Sequence, residues 1–204
     1  DTHLYHTFST NPAEFPAGTL VTFTNGTPIE VASPAIIKEG EIFYMIAYGS
    51  DNSEFALYTS ADGNAWTKGA VVFDGTDKFS DFVKVDAPFL FHETGGNYRL
   101  YFQVKTGAGE TLRYNIYAAE SATIGGMYAL VNSGNPVLSP ATSTDAWDGR
   151  YVMHPWVVKD GATYYMWYSA HNDVKPQQIG LATSADGIHW TKSAANPVIG
   201  PVGE

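Results

Sequence analysis

The sequence predicts an all-β fold, a β-propeller of four-stranded antiparallel blades, and three observations carry that prediction. One segment plan occurs three times along the 204 residues. The stretch TSADGNAWTK at 59–68 returns as TSADGIHWTK at 183–192, differing only at Asn64/Ile188 and Ala65/His189. The runs Phe43-Tyr44-Met45-Ile46 and Tyr164-Tyr165-Met166-Trp167-Tyr168 are apolar without alternation, so both of their faces are covered. A blade sandwiched between neighbours covers both faces of its middle strands, whereas a one-sided sheet would alternate. Units of about 40–70 residues that each read as four strands have the spacing of propeller blades.

The three units begin at Ser33-Pro34, at Asp86-Ala87-Pro88 and at His154-Pro155. In each, a proline opens a short apolar strand, a glycine-containing turn follows, then an aromatic strand, another strand, a second turn and a last strand. The first turns, Lys38-Glu39-Gly40, Thr94-Gly95-Gly96 and Lys159-Asp160-Gly161, carry the glycine that a hairpin with positive φ needs. The middle unit replaces the Asp-Gly turn with AAESATIGGMY, where Gly125-Gly126 is expected to turn the chain. Trp66 and Trp190 are expected to be equivalents, each packed behind its Asp-Gly turn. Helix signals are almost absent, and 105–110 and 139–148 read as loops.

The expected boundaries are 32–80, 81–140 and 141–204 for three blades of a single domain. Residues 1–31 form the outer half of another, with 3–10 as a third strand and 18–23 as a fourth. That gives about three and a half blades of a ring of five. A closed ring then takes its missing strands from the remainder of a longer chain or from a second chain, because an unpaired inner strand would expose a flat apolar edge. The start at Asp1, without methionine or signal peptide, reads as a mature or trimmed product.

Composition narrows the partners. Aromatics make up 14% and charged residues only 16%, which describes a chain with much apolar surface to bury and not a disordered one. The formal net charge of -10 repels phosphate backbones, so nucleic acid is not an expected partner. Neutral sugars and metal cations are compatible with it. No apolar run approaches the length of a membrane-spanning helix. With no cysteine there are neither disulfides nor thiolate metal sites. Absence of cysteine suits a bacterial extracellular protein as well as a cytoplasmic one.

The pattern Pro-x-Val-x-Lys-Asp-Gly-x-x-Tyr-Tyr-Met-Trp-Tyr-Ser, followed by Ile-Gly-x-Ala-Thr-Ser-x-Asp-Gly-Ile-x-Trp-x-Lys and Asn-Pro-Val, resembles the five-bladed β-propeller glycosidase superfamily. That group contains glycoside hydrolase families 43, 32, 62 and 68 and the mannoside phosphorylases of family 130. The resemblance spans 33–201. The shared residues mostly build blades, so it speaks to fold more than to activity. It implies a site on the propeller axis, lined by the innermost strand of each blade and using carboxylates from separate blades.

On that implication the candidates flank the blade-opening prolines: Glu30, Ser33, Asp86, Arg150, Tyr151 and His154. Asp86 resembles the Asp-Pro element of these enzymes with one residue inserted, and is the expected catalytic carboxylate, with Glu30 a second. His154, Arg150, Tyr151, Trp156 and Trp147 are the expected sugar contacts. Each has a structural alternative. Asp86 would cap a turn, His154 would be a hydrogen-bonded core histidine, Glu30 a solvated strand-end charge, and the aromatics would pack between blades. The third unit offers His154, and the first Ser33, where a carboxylate would be wanted, and no glutamate stands in an acid position.

The expectation is therefore a glycoside hydrolase-like propeller acting on extracellular oligo- or polysaccharide. The alternative is a non-catalytic glycan-binding or structural module of a larger surface protein. Neither requires a cofactor. An axial cation such as Ca²⁺ is compatible with the resemblance, although no ligand cluster in the sequence demands one.

Overall fold

The computed structural model describes residues 3–7, 11, 13–48 and 52–200. The expected strand over 3–10 is therefore described only in part, and the chain end at 201–204 lies outside the described residues.

Three strands precede the first full blade: β1 (Tyr5–His6), β2 (Thr19–Leu20) and β3 (Thr22–Phe23). The first blade follows as β4 (Ala32–Glu39), β5 (Ile42–Tyr48), β6 (Glu54–Ser60) and β7 (Ala65–Asp74), joined antiparallel in that order. The middle blade is β8 (Phe82–His92), β9 (Tyr98–Thr106), β10 (Arg113–Ser121) and the short β11 (Ala129–Leu130). The last is β12 (Tyr151–Asp160), β13 (Thr163–His171), β14 (Gln178–Ser184) and β15 (Thr191–Lys192). The middle and last blades touch edgewise at one parallel pair, Tyr114 opposite Tyr151. The architecture is a β-propeller arc.

The N-terminal strands are arranged differently from a separate half-blade. β1 pairs with β2, but β3 runs parallel to β7 and adds a fifth strand to the first blade. The reason is apolar. Val21, Ile29 and Val31 pack with Met45, Ala47, Tyr58 and Trp66, covering the rear face of the first blade.

The same logic builds the other two interfaces. Ile46, Phe55 and Phe73 of the first blade meet Leu100, Phe102 and Val104 of the middle one, with the Phe73 and Phe102 rings 4.7 Å apart. Tyr101, Ile116 and Ala118 then meet Val157, Met166 and Tyr168 of the last blade. Each fully buried aliphatic or aromatic side chain contributes about 1.5–3 kcal/mol, so the interfaces dominate stability. The forward face of the last blade stays open: Ile46 and Tyr101 are fully buried, while Trp167, at the same register position, is 37% exposed and Trp156 is 62% exposed.

The prolines do not open strands. β4, β8 and β12 all begin upstream of them, and each proline sits in a β-bulge. The residues just before, Ser33, Ala87 and His154, have φ of 49°, 47° and 50°. A bulge needs no ladder N–H at one position, which is the donor proline lacks. Left-handed backbone in three non-glycine residues at one repeat position is strained and specific to the fold.

The Asp-Gly turns are equivalent. Asp62 Oδ1 accepts the Asn64 and Ala65 N–H groups, and Asp186 Oδ1 those of Ile188 and His189. Trp66 Nε1 donates to Gly63 O at 2.9 Å and Trp190 Nε1 to Gly187 O at 3.0 Å. In the middle blade the tyrosine hydroxyl of Tyr128 makes this bond, to Ile124 O at 3.3 Å. The last turn docks on the middle blade, where Arg99 Nη1 donates to Asp186 O and the Tyr101 hydroxyl to Gly187 O. Gly187 has φ 72°, and a Cβ there would run into Arg99 Nη1. Two short 3-10 turns, Gly109–Thr111 and Asn132–Gly134, interrupt segments between strands.

Candidate functional site

The bulges aim the residues around them. Ser33, Ala87 and His154 line one hollow of about 410 Å³ together with their prolines, Phe89 and the exposed Trp156. The Phe89 and Trp156 rings lie 4.8 Å apart across it. This hollow joins the innermost strands of all three blades.

Asp86 does not line it. Its side chain is only 13% exposed. Lys84 Nζ lies 2.6 Å from Asp86 Oδ2, the Ala87 N–H donates to Oδ1 at 2.7 Å, and Gln103 Nε2 reaches Oδ2 at 3.4 Å. Burial works against the charge of Lys84, but the hydrogen bond and charge of Asp86 outweigh it and raise its pKa. Around the pair stand Tyr48 and Tyr114, both raised in pKa, first by burial. Gln103 Oε1 in turn accepts the His154 N–H at 3.0 Å, and His154 Nδ1 is 2.8 Å from Ser169 Oγ. Asp86, Gln103 and His154 therefore form one polar chain across the middle and last blades.

Burial of its inner edge lowers the pKa of His154, with Asp86 pulling it up and Lys84 pushing it down. A folded value below the ordinary ~6.5 means that the unfolded chain binds more protons. The stability His154 confers is then present above about pH 6.5 and is lost as pH falls through the folded value. Replacing His154 with glutamine should flatten that loss in urea denaturation midpoints measured between about pH 7 and 5. An unchanged slope would assign the acid sensitivity to other groups.

The remaining candidates separate. Glu30 is not beside Asp86: its side chain is 72% exposed, 4.0 Å from His3 Nε2, in a different hollow with Phe23 and Tyr58. The contacts of Asp86 include no second carboxylate among the described residues. Trp147 stacks on Tyr168 at 6.0 Å and packs against the core between the middle and last blades. Tyr151 meets Tyr114 edge-on at 5.6 Å and donates to Asp173 Oδ1 at 2.9 Å, and Arg150 is ion-paired to the same Asp173. Lys84, Gln103 and Ser169 were not among the sequence candidates. Lys84 had a signal, since residues two apart on a strand share a face. Gln103 and Ser169 emerge only from strand register. Among the described residues no three His, Asp or Glu side chains are grouped to hold a metal ion.

No family model matches the sequence. An uncharacterized protein of Mycobacterium tuberculosis is 39% identical over 59 residues, which is 26% of this chain and 20% of that protein. A family 117 glycoside hydrolase of the marine bacterium Zobellia galactanivorans superposes with a TM-score of 0.70 at 17% identity. The match covers 84% of this chain and 57% of that one. A GH32 β-fructofuranosidase of Bombyx mori gives 0.61 at 15% identity, over 79% and 34% of the respective chains. The fold is that of the five-bladed β-propeller glycosidases. The likeness is one of fold, and this chain spans little more than half the length of the family 117 enzyme. No helix is long and apolar enough to cross a membrane among the described residues.

Proposed function

We propose that this is a glycosidase-like propeller acting on extracellular oligo- or polysaccharide, with Asp86 as its reacting carboxylate and His154 as a sugar contact. The observation that carries the reading is the polar chain Asp86–Gln103–His154, built at strained bulges where innermost strands of two blades meet. Backbone strain of this kind recurs where side chains must be aimed at a ligand. Lys84 fixes the orientation of Asp86 and leaves Oδ1, beyond its short bond to the Ala87 N–H, with acceptor capacity to spare. The neighbours' names, a hydrolase and a fructofuranosidase, fit a carbohydrate as ligand.

One observation favours the second reading, a non-catalytic glycan-binding module. Glycosidic hydrolysis uses a pair of carboxyl groups roughly 5–10 Å apart, and Glu30, the second carboxylate the sequence offered, lines a different hollow. The open forward face of the last blade is where a further blade, from a longer chain or from a second one, would bring a second carboxylate.

Hydrolysis and binding are measured together on a panel of neutral oligosaccharides. Asp86→Asn should lower turnover by about 10²–10⁴-fold, the range for losing an acid–base group, while sugar binding persists. Binding without turnover in the unaltered protein selects the second reading. Neither binding nor turnover on any member overturns both.

A further inference from the structure

A cleft of about 720 Å³ opens at the blade end where β10 meets β12, walled by the loops around 110–113, 144–150 and 172–175. Its walls are tied in place. Asn172 is 5% exposed and spends its whole hydrogen-bonding capacity on the wall. Its Nδ2 donates to Thr144 O and Ala146 O, and its Oδ1 accepts the Val174 and Lys175 N–H groups. Arg150 links the other side, pairing with Asp173 while donating to Leu112 O at 3.3 Å and to Gly109 O. A cleft cross-linked in this way is formed before any ligand arrives, which removes part of the ordering cost of binding.

What faces the cleft is mixed in sign. Arg113 and Lys175 are bonded to backbone carbonyls, of Glu110, Leu112 and Asp145, and among the described residues to no carboxylate. The carboxylates of Glu110 and Asp145 line the same cleft, and neither makes a side-chain hydrogen bond or ion pair among the described residues. With Arg150 and Asp173 the formal charges balance. Alternating donors and acceptors of both signs match hydroxyl groups, each of which donates and accepts. A phosphate would meet as many carboxylates as cations there and gain no net attraction. Val174, 91% exposed, offers an apolar spot for the C–H face of a ring. The Tyr114–Tyr151 pair separates this cleft from Asp86, with Tyr151 bonded to Asp173 on one side and Tyr114 near Lys84 and Asp86 on the other.

We propose that this cleft is a second subsite, taking a neutral, polyhydroxylated unit of a glycan chain long enough to pass the two tyrosines from Asp86. The inference rests on the carbohydrate reading above and adds the extent and charge of the substrate: an extended neutral oligosaccharide.

The test is isothermal titration of the protein with neutral xylo- and fructo-oligosaccharides from dimer to hexamer, and with inorganic phosphate. Affinity should rise with chain length for one series. Glu110→Ala and Asp145→Ala remove side chains with no structural partner, so folding is not at stake. Each should lower affinity for the long members about tenfold, equivalent to one charge-assisted hydrogen bond, and leave the dimer unaffected. A length-dependent gain that survives in the double variant overturns the subsite. So does a dimer that binds as tightly as a hexamer, while leaving the carbohydrate reading in place. Binding of phosphate alone, or of no probe, overturns the carbohydrate reading and the subsite with it.

Discussion

Replacing Arg99 with leucine should cost about 3–5 kcal/mol, the range for removing one partner of a buried ion pair. The Arg99 side chain is 7% exposed and holds two carboxylates at once. Its Nε and Nη2 lie 2.7 and 2.6 Å from Glu120 Oε1, and Nη1 lies 3.0 Å from Glu93 Oε1. Nη1 also donates to Asp186 O at 2.9 Å, which ties the last blade's turn to the middle blade. Burial opposes the charge, but Tyr101 and Glu120 more than compensate and raise its pKa, so Arg99 is cationic at every working pH. Among the described residues, leucine would leave Glu93, 12% exposed, with only the Tyr164 hydroxyl and a more distant Lys159. Arg99→Lys keeps the charge but not the fork, and should recover only part of the loss. Urea denaturation followed by far-UV circular dichroism checks both. A leucine variant within about 1 kcal/mol of the parent, the scale of an exposed pair, would show that the network does not hold the two blades together.

Trp66→Ala should cost a similar ~3–5 kcal/mol, the range for deleting a large buried aromatic. Trp66 is 1% exposed and closes the rear of the first blade against Val21, Ile29 and Val31. The indole also donates to Gly63 O, so the variant loses a turn bond as well as a core ring. Trp66→Phe fills most of the volume and should lose mainly that hydrogen bond, about 1 kcal/mol. Trp190 is its counterpart in the repeat but only partly buried, meeting Tyr101 edge-on at 6.1 Å. Trp190→Ala should therefore cost less than Trp66→Ala. Equal shifts in the denaturation midpoint would mean that the N-terminal strands contribute nothing to the packing of Trp66.

The blades were legible because their signals are local. The glycines of the hairpin turns, the serine and aspartate that satisfy the Asp-Gly turns, and the tryptophan behind them act within a few residues of one another. Repetition multiplied that signal. The middle turn was harder to read because Tyr128 does with a hydroxyl what Trp66 and Trp190 do with an indole, and no shared residue marks it. In the sequence the prolines read as strand openers because each stands just before an apolar run. The chain instead extends through them by placing a bulge there.

The site was legible only by name. Asp86 and His154 were singled out for standing near blade-opening prolines, and the structure links them through Gln103. Glu30 was singled out for the same reason and lies elsewhere, because the N-terminal strands pack on the first blade's rear face and carry it away.

What the sequence by itself determined is the repeat, the four strands of each repeat unit and the turn chemistry. These depend on side-chain periodicity and on contacts within a hairpin, so the linear order of residues specifies them. Only the tertiary structure decided which way Asp86 points, what holds it, and how the loops around Asn172 enclose a cleft. Those outcomes depend on a left-handed φ at Ala87 and His154 and on the register of β8 against β9. The docking of one blade on the next decides the rest. Backbone strain at a bulge is sustained by packing from distant segments, and no stretch of neighbouring residues encodes it.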